Sequence, residues 1–306
     1  MNSSPILFDR PLLRFRRDRI AGMTKAFDFL FDEAAEMLAD RLEDVRRTFP
    51  DALILGGRDG TFARILDGRG GIQNLFHTDL SPRMTQHARD THSLPGLTAF
   101  FLAADEEALP FAPASFDLVI CPLNLHWVND LPGTLAQIRA ILKPDGLFLA
   151  NLLGGETLHE LRRAWMDAEI VVENGAGIHV SPFLDLVDGA SLLQRAGFTL
   201  PVADSDMLTV TYRDALALMR DLRGMGETNT AAGRRKTMTR RETIMRMIRQ
   251  YEDSASEPDG RVRASFQVIT LTGWAPDPSQ PQPLRPGSAA IPLDSILGIV
   301  SEAKDG

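Results

Sequence analysis

The sequence contains almost no cysteine, with one in 306 residues. A single cysteine excludes a disulfide framework and a zinc site built from several thiolates. We therefore expect a reducing compartment, which is the cytoplasm, or the mitochondrial matrix if the source is eukaryotic. Long apolar runs are also missing, because no stretch approaches the roughly 20 residues that cross a bilayer. The sequence thus predicts no transmembrane segment.

An excess of positive charge is absent as well. The chain has 33 Lys and Arg against 41 Asp and Glu, a formal net charge of −8. Because nucleic-acid phosphates require a basic surface, this balance argues against a nucleic-acid partner. The content of 44% hydrophobic and 24% charged residues is that of a globular protein.

The N-terminal residues 1–23 are rich in arginine but lack the apolar core of a secretory signal. Asp9 and Asp18 interrupt the basic run, which argues against a transit peptide. We interpret this segment as part of the mature protein, with its basic residues on a solvated face.

Predicted strands and helices alternate along the first half of the chain. Apolar residues at helical spacing predict a helix over residues 25–47. Short buried strands are predicted over residues 52–55, 74–78, 97–102, 116–121 and 147–153, the last one after a turn at 143–146. This alternation is typical of a parallel sheet with helical crossovers. The sequence therefore predicts an α/β fold with roughly five parallel strands.

Beyond residue 153 the pattern becomes mainly helical. Helices are predicted over residues 157–173, 185–196, 214–223 and 234–251, and strands over 208–212 and 266–274. Residues 276–287 are rich in Pro, Gln and Ser, which indicates a tail that wraps the surface or is mobile. We expect four segments: an N-terminal helical segment (1–50), a core (51–155), a helical region with the final strands (156–275) and the tail (276–306).

A glycine-rich turn and two acids mark a candidate site. Gly56–Gly60 links the first predicted strand to its helix, where a ligand can approach the backbone and the helix N-terminus. This turn does not match the dinucleotide fingerprint, and turns of this kind also serve only as links. Asp79 ends the next strand about 20 residues later, and Asp105 follows the third. Either acid alone fits a surface or capping role, but together they predict a nucleotide-type ligand at the strand ends.

Several segments carry a resemblance to a known family. The segments 53–60 (LILGGRDG), 104–111 (ADEEALPF), 116–132 (FDLVICPLNLHWVNDLP) and 142–146 (LKPDG) resemble motifs of class I S-adenosyl-L-methionine (SAM)-dependent methyltransferases, most closely the BioC-like branch. Residues 154–162, 179–198, 218–229 and 284–289 resemble a subfamily that includes mitochondrial assembly factors for respiratory complex I and their alphaproteobacterial relatives. The resemblance covers nearly the whole chain. It implies a Rossmann-like methyltransferase fold, with a mostly parallel seven-stranded sheet, helices on both faces and a helical insertion before the last strands.

The resemblance also implies SAM as the cofactor and a role for individual residues. The implied cofactor residues are Gly56, Gly57, Gly60, Pro122 and Leu123 at the methionine half, Asp79 at the ribose, and Leu80, Asp105 and Glu106 at the adenine. His126 and Trp127 are expected on the substrate side.

Two positions depart from the family pattern. Ile54 stands where these enzymes usually have an acid, and Arg58 stands where they have a glycine. A lost charge-assisted hydrogen bond is worth about 1.5–3 kcal/mol, so we expect SAM to bind one to two orders of magnitude more weakly than in the family.

The resemblance leaves three functions open. Methyl transfer from SAM to an unidentified acceptor is the first, with His126 as the candidate base or, alternatively, as a hydrogen-bonded anchor of its loop. The second is an assembly factor for respiratory NADH dehydrogenase that modifies, or hydroxylates, an arginine of one of its subunits. The third is a binding module without catalysis. Although His77 and Asp79 have a spacing found in iron sites, no third ligand stands out, and we predict no metal.

The segment 234–251 combines a basic face with an apolar stripe. Such a stripe usually packs on the core while the basic face is solvated. The alternative is a docking surface for an acidic partner or for a membrane-associated subunit, so peripheral membrane contact stays open.

Overall fold

The computed structural model describes residues 6–281, and within them seven strands form one sheet in the order β3-β2-β1-β4-β5-β7-β6. The strands are β1 (Asp51–Leu55), β2 (Asn74–Asp79), β3 (Thr98–Ala103), β4 (Phe116–Cys121), β5 (Leu142–Leu153), β6 (Thr199–Tyr212) and β7 (Val262–Trp274). The helices of the described residues are α1 (Arg10–Ile20), α2 (Phe29–Glu43), α3 (Thr61–Ile65), α4 (Pro82–Thr91), α5 (Leu131–Ile141), α6 (His159–Glu173), α7 (Leu186–Arg195), α8 (Ala215–Met225) and α9 (Arg241–Ala255).

Strands β1 to β5 are parallel, and β7 runs antiparallel between β5 and β6. The predicted α/β fold with a mostly parallel seven-stranded sheet is thereby confirmed. The chain leaves β1 toward β2 on one side and returns to β4 on the other, so the strand order reverses between β1 and β4. Ligands of open parallel sheets bind at such a reversal, beyond the carboxyl ends of the strands.

Local side chains fix where the helices around this reversal begin. The Asp9 carboxylate caps α1 by accepting a hydrogen bond from the Leu12 amide at 3.1 Å. Ser81 caps α4 in the same way, and its hydroxyl accepts from the Met84 amide at 3.1 Å, with Pro82 in the first turn. Such caps satisfy amides that the helix itself leaves unpaired. Helix α4 therefore begins directly after β2, and the second half of α1 lies beside it, where the Ser81 hydroxyl donates to Asp18 at 2.5 Å.

Strand β6 is longer than predicted, because the sequence indicated a strand only over residues 208–212. It begins at Thr199, and Asp204 and Asp206 lie in its middle. As an edge strand, β6 pairs with β7 from Thr199 opposite Trp274 to Tyr212 opposite Val262. Main-chain pairing along an edge does not require an apolar run. The polar residues of β6 therefore gave no sequence signal for a strand.

Other boundaries also differ from the prediction, and β7 begins at Val262, four residues before the predicted strand over 266–274. The helix predicted over 25–47 is shorter and runs over Phe29–Glu43. Strand β5 begins at Leu142, so the segment 143–146 lies within the strand and not before it. The helix predicted from residue 234 is wrong over residues 234–240, because α9 begins at Arg241. The side chains of Arg234 and Arg235 instead reach Asp9 and Glu173 from a loop.

Of the described residues, 6–276 belong to one compact unit and 277–281 to another. Within the first unit, the predicted boundaries at residues 50 and 155 remain predictions. Of the second unit the structure describes residues 277–281, where the Ser279 hydroxyl donates to the Asp277 carboxylate at 2.6 Å. The rest of the predicted tail, with the motif at 284–289, lies outside the described residues. Over residues 6–281, none of the helices combines the length and the apolar character that a membrane span requires.

Candidate functional site

The acids predicted at the strand ends lie close together in the structure. Asp79 is fully buried at the end of β2, and its carboxylate accepts from the amides of Arg58 at 3.2 Å and Ser81 at 2.7 Å. Glu106, which follows β3, accepts from the Asn124 side chain at 2.7 Å. Asn124 follows β4, so it connects the ends of non-adjacent strands. We call Asp79, Asp105, Glu106 and Asn124 the strand-end cluster.

Two arginines of α1 bind the strand-end cluster. Arg17 is fully buried, with its Nη1 3.3 Å from Asp79 and its Nη2 donating to Asn124 at 2.6 Å. Arg10 forms ion pairs with Asp105 and Glu106. Burial alone would lower the pKa of Arg10, but the charges of Glu106 and Asp105 outweigh it and raise the pKa. The predicted solvated face is therefore wrong for these two residues, because buried carboxylates pair with them.

The glycines of the turn permit close packing at the end of β1. A Cβ atom at Gly56, whose φ is +70°, would lie 2.2 Å from the Asn124 Cγ. A Cβ atom at Gly57 would lie 2.3 Å from the His77 ring. Gly60, with a φ of +91°, precedes α3 in a conformation that suits glycine. Glycine at 56 and 57 is thus required by the side chains that close over the turn.

Arg58 is buried and points toward acids outside the strand-end cluster. Its guanidinium group lies 3.5 Å from the Asp28 carboxylate and 3.7 Å from the Glu227 carboxylate. It also stacks over the Phe31 ring, 3.6 Å from the centroid. Its backbone has a φ of +52°, which costs a side chain strain energy. The family's glycine position is therefore used here for a buried cation, while Ile54 packs in the core.

Replacing Arg58 with glycine should lower the stability of the protein. Glycine would relieve backbone strain of about 1 kcal/mol, whereas removing one partner of buried ion pairs costs about 3–5 kcal/mol. We therefore expect the free energy of unfolding to fall by roughly 2–4 kcal/mol in urea denaturation. Ala114 is the matched control, because it has the same φ of 52° but is exposed. If Arg58→Gly raised stability as Ala114→Gly should, the ion pairs would contribute nothing.

His126 and Trp127 meet a third residue that the sequence did not reveal. The His126 Nε2 lies 3.1 Å from a Glu227 carboxylate oxygen, and the Trp127 indole donates to the same oxygen at 2.7 Å. The Leu153 amide donates to the other ring nitrogen of His126 at 3.4 Å. Both ring nitrogens are thus engaged, which favours the anchoring role of His126, while its role as a base stays a prediction.

Glu227 is a buried carboxylate with one oxygen outside the hydrogen bonds of the described residues, Oε1, which faces the Arg58 guanidinium at 3.7 Å. Burial would raise its pKa, but the hydrogen bond from His126 and the charges of His126, Arg17 and Arg58 outweigh it and lower the pKa. Its second oxygen, Oε1, has no hydrogen-bond partner within residues 6–281. Glu227 belongs to the segment 218–229 of the family resemblance, which was the only sequence signal for it.

The remaining predicted residues lie around the same region. Leu80 packs against the apolar cluster that includes Phe8 and Trp127. Pro122 lines a cavity of about 20 Å³ beside the glycine turn. Leu123 is buried, and its amide donates to the Asn151 side chain at 2.8 Å.

The chemistry of these groups fits SAM. Carboxylates at successive strand ends suit the ribose hydroxyls and the adenine amino group. The buried Arg17 Nε and Arg58 Nη1 donors lack hydrogen-bond partners within residues 6–281, although Arg58 Nη1 faces the Glu227 carboxylate at 3.7 Å. A guanidinium donor of this kind would suit the carboxylate of the methionine half. However, Arg17 holds an Asp79 oxygen that the ribose would take, and the cavity at the turn is about 20 Å³. Binding of SAM here therefore requires the arginine side chains to move.

His77 does not take part in a metal site of the described residues. It is fully buried, with its Nε2 3.2 Å from the Arg58 carbonyl oxygen, and burial lowers its pKa. Across residues 6–281, no three His, Cys, Asp or Glu side chains lie close enough together to hold a metal ion.

Comparisons with known proteins agree with this arrangement. Residues 53–150 match the model of the methyltransferase domain family. The YcgJ protein of Bacillus subtilis has the same fold, with a TM-score of 0.57 over 80% of this chain and 99% of that one, at 14% identity. A phosphoethanolamine N-methyltransferase of Haemonchus contortus, solved with SAM, has a TM-score of 0.51 at 17% identity, over 87% of this chain and 60% of that one.

Relatives of higher identity match nearly the full length. The mitochondrial arginine hydroxylase NDUFAF5 of Danio rerio is 40% identical over 96% of this chain and 90% of its own. A malonyl-[acyl-carrier protein] O-methyltransferase of Methylovorus is 32% identical over 90% of this chain and 92% of its own. The chain therefore belongs to the class I SAM-dependent methyltransferase superfamily and, within it, to the enzyme family that includes the NDUFAF5 arginine hydroxylases.

Proposed function

We propose that the protein binds SAM at the strand-end cluster and hydroxylates an arginine side chain of a partner protein. The observation that carries this proposal is the 40% identity with an arginine hydroxylase over 96% of the chain. Such a match includes the helical region after residue 155 as well as the cofactor core. The expected partner is a subunit of a respiratory NADH dehydrogenase, as the sequence resemblance implies.

Glu227 is the residue that we assign to the target arginine. Its carboxylate is buried, and Oε1 has no hydrogen bond within residues 6–281 but lies 3.7 Å from Arg58 Nη1, which the target arginine would displace. His126 and Trp127 hold the other oxygen, so the acceptor is fixed in place before a substrate arrives. A guanidinium group binds carboxylates through strong, directional hydrogen bonds. Glu227 would therefore orient the arginine, while Asp79 and the acids after β3 would hold SAM.

Hydroxylation has its own chemical requirements. A C–H bond of the arginine becomes C–O–H, so one oxygen atom of dioxygen enters the product. The other oxygen atom leaves as water, which takes two electrons and two protons from a separate reductant. The residues assigned here bind and orient the arginine, and they exclude water from its guanidinium group.

Methyl transfer is the second candidate, because the methyltransferase family model matches and O-methyltransferases are 32% identical. SAM supplies the methyl group in this reaction, and alignment of the acceptor provides most of the acceleration. A base is needed only if the acceptor loses a proton. His126 would have to give up its bond to Glu227 to act as that base.

Mass spectrometry of the partner separates the two reactions. NADH dehydrogenase would be purified from wild-type cells, from a strain that lacks this gene, and from that strain complemented with Glu227→Gln. We expect an arginine peptide that carries one extra oxygen atom in wild-type cells and is unmodified in the other two. A methyl group that is present in wild-type cells and absent from the other two strains would establish the second candidate. Identical peptides in all three strains would contradict both candidates.

The compartment of this reaction is part of the proposal. The arginine hydroxylases of Danio rerio and Homo sapiens are mitochondrial proteins. We infer that this chain acts in the cytoplasm, or in the matrix of a eukaryotic source. Cells that lack it should show reduced respiratory NADH oxidation, measured on isolated membranes, and normal oxidation would argue against an assembly role.

A further inference from the structure

The helical region contains a cavity of about 500 Å³ that extends from Glu227 to the surface. Helices α6 and α8 and the segments 178–183 and 227–239 enclose it. A second cavity of about 440 Å³ shares Trp165, Ile178 and His179 with the first. We call the two cavities together the docking groove. It adjoins the Glu227 carboxylate, so a molecule bound there would reach the proposed catalytic region.

The groove is lined by arginines, three of which have no ion-pair partner among residues 6–281. Its walls carry five arginines, which are Arg16, Arg162, Arg223, Arg234 and Arg235. Arg234 pairs with Asp9 at 3.0 Å, and Arg235 pairs with Glu173. Arg16, Arg162 and Arg223, in contrast, have no carboxylate within ion-pair distance among residues 6–281. Within the described part of the chain, the Arg16 guanidinium donates only to the carbonyl oxygens of residues 228 and 229.

Neighbouring cations make the electrostatic potential around Arg16 more positive. Burial lowers the pKa of Arg16, and the nearby cations Arg234, Arg19 and Arg223 lower it further, while the charge of Asp9 opposes them without reversing the shift. Cations that destabilise one another in a partly dry cavity are stabilised by an incoming anion. The groove is therefore suited to a carboxylate or phosphate group.

Apolar surface accompanies the charge. The rings of Trp165 and His179 stack in parallel, 3.8 Å apart, between the two cavities. On the outer side, Met166 and Ile170 of α6 and Ile178 are 45%, 52% and 42% exposed. Contiguous exposed apolar residues beside a polar cavity are typical of a protein-binding surface. A small anion would use the arginines but not this strip.

We propose that the docking groove binds a segment of the protein substrate in which acidic and apolar residues flank the target arginine. The acidic side chains bind Arg16 and Arg223, and an apolar side chain packs on Trp165 and the strip along α6. This assignment rests on the proposed function, because it takes the substrate to be a protein. A basic groove would repel the target arginine itself. In this arrangement the groove contacts the acidic residues around the arginine, and Glu227 contacts the arginine.

Binding of synthetic peptides tests the proposal without any turnover. A short fluorescent peptide would alternate glutamate and leucine around one arginine, and a matched peptide would have glutamine in place of each glutamate. Anisotropy titrations with the full-length protein should show the acidic peptide binding at least about tenfold more tightly, as expected for charge-assisted bonds. Equal binding of the two peptides would overturn the proposal.

Two arginines of α8 provide a matched pair of variants. Both are exposed, but Arg223 lines the groove and Arg220, one turn earlier, does not. Arg223→Glu should weaken binding of the acidic peptide about tenfold or more, and Arg220→Glu should leave it within about twofold. Equal losses in both variants would show a non-specific effect of net charge and would contradict the site.

A competition experiment distinguishes a peptide from a small anion. Free glutarate should displace the acidic peptide only at concentrations far above the peptide's dissociation constant. If glutarate bound as tightly as the peptide, the groove would be a small-molecule site and the proposal would be wrong. Peptide binding without arginine modification in cells would contradict the proposed function alone, whereas modification that Arg223→Glu leaves unchanged would contradict the groove alone.

Discussion

Asp79→Leu should lower the free energy of unfolding by about 3–5 kcal/mol, because it leaves Arg17 charged and buried. Arg17 is fully buried and lies 3.3 Å from the Asp79 carboxylate. The double variant Arg17→Met/Asp79→Leu removes both charges and should recover most of that loss. Urea denaturation of the four proteins of this cycle measures the coupling directly.

The two outcomes of the cycle differ clearly. If the losses of the single variants simply added in the double variant, Arg17 and Asp79 would not interact, and α1 would not be held by the strand-end cluster. Strong coupling would show that the arginine-rich helix is an integral part of the fold.

Glu227→Leu should have an effect of similar size. This change removes the acceptor of the His126 and Trp127 hydrogen bonds and leaves Arg58 facing one carboxylate fewer. We expect a loss of about 3–5 kcal/mol in the free energy of unfolding. Glu227→Gln should lose less, since an amide oxygen still accepts a hydrogen bond but carries no charge. Urea unfolding followed by tryptophan fluorescence measures both, and equal stability of the leucine variant and the wild type would contradict the buried network.

The sheet was predictable because its inner strands combine short apolar runs with polar residues at their ends. Asp79 and Asp105 could be placed at one edge from this pattern, and the structure brings both to the strand-end cluster. Strand β6 escaped prediction over residues 199–207 because main-chain pairing at an edge leaves little trace in side-chain polarity.

The arginines were the part that the sequence could not reveal. An arginine on an amphipathic helix usually reaches solvent, so nothing local distinguishes Arg17 from its exposed neighbour Arg19. The difference arises from acids that are far away in the chain, such as Asp79. Glu227 was hidden for the same reason, because its partners His126 and Trp127 lie about a hundred residues earlier. Ion pairs between segments that are distant in the sequence can be predicted only once the fold is known.

Calorimetric titration of SAM tests the central claim, that SAM binds at the strand-end cluster. Asp79→Asn keeps the shape of the side chain but removes its charge, and Asp117→Asn is the control, since Asp117 pairs with Lys143 at the opposite end of the sheet. Circular dichroism would first establish that both variants are folded at the titration temperature. We predict saturable binding to the wild type and the control, and an affinity at least about tenfold lower for Asp79→Asn. Equal affinity of all three proteins, or no binding to the wild type, would contradict the account.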